Sequence, residues 1–64
     1  MKLLTQYVVE NVNYDIVLKA FKQCPVGIFQ TKENAERYAR FLNDLDPYAE
    51  NGYYKVVQTV YFPL

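Results

Sequence analysis

The residues able to do chemistry are few, and they form no constellation. Cys24 stands before Pro25, but the chain holds no histidine to activate a thiolate and no second cysteine for redox cycling. A buried or half-buried structural thiol is the simpler expectation. Asp44, Asp46 and Glu50 cluster around a loop, and grouped carboxylates can do acid–base work or hold a divalent cation. Their spacing matches no calcium loop, and solvated loop acids are commoner. Arg37 and Arg40 can attract an anion, yet Glu33–Arg37, Glu36–Arg40 and Arg40–Asp44 are all i,i+4 pairs. That arrangement is most simply a solvated helix face. The expectation is no catalytic residue, no metal site, no cofactor and no enzymatic activity.

These groups sit on or beside one organising stretch, Gly27–Leu45. Thr31 is suited to cap a helix, because its hydroxyl can accept from an orphaned first-turn amide. Ala35, Tyr38, Ala39, Phe41, Leu42 and Leu45 recur at helical spacing as one apolar stripe. Pro47 ends the helix near Leu45, so the spacing predicts a helix over about 32–45. The rest of the chain reads as strand. Leu3–Val12 is the first, with an ambiguous choice of face. Asn11–Tyr14 suits a turn. Tyr14–Lys22 is the second strand, its Ile16, Leu18 and Ala20 forming the expected core face. Gln23-Cys24-Pro25 breaks it, and Val26–Phe29 is a brief third strand or bridge. Asp46–Gly52 is a loop. Tyr53–Phe62, apolar on both faces, reads as an interior strand. Residues 1–64 are thus expected to form one small α+β domain of order β-β-(β)-α-β. Its helix packs on one face of a three- to four-stranded, mostly antiparallel sheet, and the last strand lies beside the first.

Composition narrows the class further. Seven basic residues balance seven acidic ones, so no strong non-specific attraction to nucleic acid is expected. Met1-Lys2-Leu3-Leu4 begins like a signal peptide, but Thr5, Gln6 and Glu10 interrupt the apolar run. No membrane span follows, and a cytoplasmic location is expected. A core this small rarely supplies more than ~3–5 kcal/mol without a staple. With one cysteine and no histidine, a disulfide or a zinc site is not available, and oligomerisation is the staple that remains.

One helix covers one face of a sheet, yet the last strand is bulky on both. Seven tyrosines in 64 residues add amphipathic side chains of the kind enriched at interfaces. If Val56, Val60 and Phe62 lie under the helix, then Tyr53, Lys55, Val57 and Tyr61 face outward, with Tyr7 or its neighbours beside them. These five residues, Tyr7, Tyr53, Lys55, Val57 and Tyr61, are the candidate partner-binding set. Val56–Phe62 also has high β-propensity and little charge, so an unprotected edge there is an aggregation hazard.

The run Gly27-Ile28-Phe29-Gln30-Thr31-Lys32-Glu33-Asn34-Ala35-Glu36-Arg37-Tyr38-Ala39, followed by a loop and a Tyr-rich strand, resembles small bacterial and phage α+β domains. Their helix opens on a G-h-F-x-T-x-E-x-A pattern and their last strand is of GYY type. The resemblance implies a compact module, often with no assigned activity, and carries over no catalytic residue. The function expected is a non-enzymatic protein-interaction module of accessory or inhibitor type. It binds through a Tyr-rich sheet face or an edge strand, to a protein partner or to itself as a homodimer. The alternative is a single-stranded nucleic-acid binder that stacks bases on exposed aromatics. It is disfavoured by the neutral charge and by the lack of basic residues beyond Lys55 on the last strand. An enzyme using the loop carboxylates is the minor alternative.

Overall fold

A computed structural model describes residues 2–47 and 52–63. Strand β1 spans Leu4–Asp15, β2 Ala20–Phe29 and β3 Tyr53–Tyr61, and helix α1 spans Lys32–Leu45. The strands form an open sheet in the order β2-β1-β3, with both pairings antiparallel. This is the expected α+β class, and the last strand does lie beside the first. The interior strand, however, is β1, and β3 is an edge. The two bulky faces of β3 are explained by the helix beneath one and, on the other, a sheet surface that no element among the described residues covers, not by a second neighbouring strand.

The first hairpin also departs from expectation. The chain runs straight through Asn11–Tyr14, whose turn-forming asparagines satisfy each other within the strand: Asn13 Nδ2 donates to Asn11 Oδ1 at 2.9 Å. The reversal falls at Ile16–Lys19 instead. There the Asp15 carboxylate accepts from the amides of Val17 at 2.9 Å and Leu18 at 3.0 Å. It also meets Lys22 Nζ at 2.8 Å, and Lys19 takes the left-handed conformation at φ 54°. A short polar side chain that organises its own turn outcompetes the upstream asparagines. As a result Ile16 and Leu18, expected on a core face, sit exposed in the turn.

Nor do Gln23-Cys24-Pro25 break the second strand. The ladder absorbs them through a register shift between Val9 and Glu10, where Val9 opposes Gly27 and Glu10 opposes Pro25. Val26 is the extra residue of this bulge. Because Tyr54 turns its backbone groups away from β1, the antiparallel alternation hands those of Val8, Glu10 and Val12 to β3. Pro25, opposite Glu10, is then on the solvent side of an edge strand, where a missing N–H costs nothing.

The helix has the expected bounds. Thr31 Oγ1 accepts from the amide of Asn34 at 3.3 Å, and Glu33 lies in the first turn. At the other end the amide of Asp46 donates to Asn43 O at 3.2 Å, just before Pro47. Ala35 and Ala39 press the helix onto Val9, and all three are buried. Tyr7, Phe29, Tyr38, Leu42, Tyr54 and Val56 complete that cluster. Small residues at the contact bring the helix close, so the buried stripe is narrower than expected. Phe41, about 120° around the helix from Ala35 at 100° per residue, is exposed, as is Leu45. Gly27 permits the same close approach: a Cβ there would lie 3.2 Å from the Tyr38 ring.

Candidate interaction surface

Residue parity decides which side chains meet the helix. On β1, Tyr7 and Val9 face it, opposite Phe29 and Gly27 on one side and Gln58 and Val56 on the other. Tyr7 therefore does not belong with the other candidates. It packs against the core cluster, while Tyr53, Lys55, Val57 and Tyr61 share the opposite face of β3. The ambiguous face of the first strand was the source of that misplacement. The same parity brings Val8, Val12 and Ile28 onto this face beside the candidates. Their signal is the alternation of Leu4, Val8 and Val12 with Tyr7 and Val9.

This second face is covered by no element among the described residues. Val8 and Val12 are nonetheless buried at its centre, shielded by side chains on the flanking strands. Around them Tyr53 and Tyr61 stand partly exposed, Val57 is half-buried, and Ile28 is exposed. Lys55 lies opposite Glu10, so the face's lysine has a carboxylate as its cross-strand neighbour. Thr59, opposite Gln6, has its hydroxyl enclosed with no hydrogen-bond partner among the described residues. The tyrosine loading is thinner than the composition implies, because Tyr7, Tyr38 and Tyr54 are drawn to the helix side. Tyr48 lies outside the described residues.

The chemical candidates remain scattered. Cys24 is exposed, not buried, because it sits on edge strand β2 away from the core cluster. No group of three or more His, Cys, Asp or Glu among the described residues is placed to hold a metal ion. Glu50 lies outside the described residues. On the helix, Arg37 meets Glu33 at 3.9 Å as expected, but Glu36 meets Lys32 at 3.8 Å. Phe29, Asn34, Arg37, Tyr38 and Phe41 line a shallow, largely apolar cleft of about 420 Å³ beside the helix.

Two features of the backbone frame the surface. The β1–β2 hairpin runs past the end of β3 and carries Ile16 and Val17 at its tip, 80% and 90% exposed. Behind the tip, Tyr14 and Phe21 form an edge-on ring pair with centroids 5.2 Å apart. Along β3, Asn43 acts as a surrogate strand residue. Its Nδ2 donates to Tyr54 O at 3.1 Å, and its Oδ1 accepts from the Tyr54 amide at 2.8 Å.

Comparison with family models, curated proteins and solved structures finds no match for this chain. No helix among the described residues is long and apolar enough to cross a membrane.

Proposed function

We propose that this chain is a non-enzymatic protein-interaction module, of accessory or inhibitor type and of bacterial or phage origin, working in the cytoplasm. It binds a protein partner through the sheet face opposite the helix. The observation that supports this reading is the apolar face itself: Val57, Ile28, Tyr53 and Tyr61 surround the buried Val8 and Val12, with no second layer over them among the described residues. A contiguous patch of this kind is uncommon on a monomer unless something docks there. Tyr53 and Tyr61 supply the broad, semi-rigid aromatic anchors on which interfaces concentrate their energy.

Base stacking on the same aromatics has less support. It needs cations tracking a phosphate backbone, and Lys55 has Glu10 as its neighbour across the strand.

The test is retention of a host protein by the immobilised chain, compared with Tyr53→Ala and Tyr61→Ala variants of unchanged circular dichroism. The reading expects both variants to lose that protein, and retention of full affinity by both would refute it.

A further inference from the structure

The outer edge of β3 is unlike that of β2. On β2, Pro25 removes a donor and the bulge at Val26 distorts the edge, both of which discourage pairing. On β3 the only charged side chain is Lys55. Since Tyr54 points its amide and carbonyl outward to Asn43, the alternation of an antiparallel strand sends those of Val56, Gln58 and Val60 outward too. These groups are symmetric about Gln58, and Asn43 closes the row at its Tyr54 end.

We propose that β3 pairs antiparallel with β3 of a second copy of this chain, about a two-fold axis at Gln58, extending the sheet to six strands. Val56 of one copy then opposes the partner's Val60, and Gln58 opposes the partner's Gln58, each exchanging two backbone hydrogen bonds. The exposed Phe62 falls opposite the partner's Tyr54, whose own backbone groups are already held by Asn43. The pairing therefore has a built-in stop at both ends, and its isologous symmetry closes at two copies.

The chain exposes more surface than its mass requires. A compact chain of this mass exposes about 4,300 Å², whereas this 7.6 kDa chain exposes 5266 Å². That excess is spread over the projecting β1–β2 hairpin and the open side of the sheet as well as the β3 edge. A second copy satisfies the row without any further sequence requirement, because the row is complementary to itself. The edge is a separate surface from the face, so a second copy can pair there whether or not the face binds a foreign protein.

The experiment uses the full chain carrying Cys24→Ser, with light scattering after size exclusion over a wide concentration range. A concentration-dependent dimer is expected. Adding Gln58→Cys should give a disulfide-linked dimer on mild oxidation, since directly opposed residues lie about 5.5 Å apart, within disulfide reach. Val56→Cys should not, because its own counterpart is offset by four residues, roughly 13 Å. Gln58→Lys sets like charges face to face and should raise the dimer dissociation constant about tenfold or more. A monomer at every concentration overturns the proposal. So does a dimer in which Gln58→Cys stays unlinked, or one that Gln58→Lys leaves unchanged while circular dichroism shows an intact fold.

Discussion

At the scale of single residues, two positions carry more of the fold than their size implies. Gly52 enters β3 at φ +88°, and a Cβ there would collide with the Val12 carbonyl oxygen and lie 2.7 Å from Asn13 Cβ. Gly52→Ala should therefore cost about 2 kcal/mol or more, combining left-handed strain with backbone overlap. Thermal unfolding reads this directly, and a variant within 0.5 kcal/mol of the parent would contradict the placement. Asn43 is the second. Its side chain ties the last turns of the helix to the start of β3, and Asn43→Ala releases both bonds at a part-buried site. The expected loss is about 1–2 kcal/mol, measured by denaturant midpoint. Neither role was legible in the sequence. An Asn-Gly pair signals a turn, but only the register shows which carbonyl crowds the glycine, and an asparagine in the last turn of a helix gives no sign of a strand partner eleven residues on. Tyr7 was misplaced for a related reason, since both faces of its strand carry apolar residues.

At the scale of elements, the bounds of the helix were legible, though not the width of its buried stripe. Thr31, the alternating acids and bases, the alanine-rich stripe and Pro47 each independently mark its bounds, and no tertiary contact opposes them. The hairpin was not, because two turn signals competed and only the hydrogen bonds of Asp15 decide between them. The Lys22 ammonium, followed by the Leu18 amide, holds the Asp15 carboxyl below its ordinary value of 3.8. The same contact raises Lys22 above 10.5. A depressed carboxylate contributes stability that is present above its unfolded pKa and lost as pH falls through the folded one. A raised ammonium contributes stability present below its unfolded pKa and lost as pH climbs through the folded one. The Val17 and Leu18 amide resonances should thus hold steady across neutral pH, collapse toward random-coil shifts only at a pH below 3.8, and weaken again only above pH 10.5. Invariance of those shifts down to pH 2 would show that Asp15 does not organise the tip. The aliphatic tip itself adds nothing to the core. Val17→Ser should leave stability within about 0.5 kcal/mol, and a larger loss would mean that the tip packs against something.

At the scale of the whole molecule, the fold is a thin slab, 42 × 26 × 13 Å in its principal extents, with one helix on one side of three strands. Its buried cluster rests on Val9, Ala35 and Ala39, a small centre for 64 residues. The sequence already indicated that such a core needs a staple, and that the last strand needs covering. It could not show that the strand is an edge, because apolar residues on both faces fit an interior strand and an uncovered edge equally well. Edge pairing and face binding address different exposed surfaces of this slab. If the second copy contributes to stability, the melting temperature should rise with protein concentration, and a melting temperature that is flat over two decades would deny that contribution.

The strand order and the dimer edge both depend on β3 lying at the outside of the sheet, so amide exchange along β3 tests the account most directly. In the Gln58→Lys variant, the amides of Lys55, Val57 and Thr59 should be protected by β1, and Tyr54 by Asn43. Those of Val56, Gln58 and Val60 should be open in the dilute variant and become protected in the concentrated parent chain. Alternating protection in the dilute variant is the predicted result. Uniform protection of β3 there would place another strand beside it and contradict the fold, the open edge and the proposed dimer together.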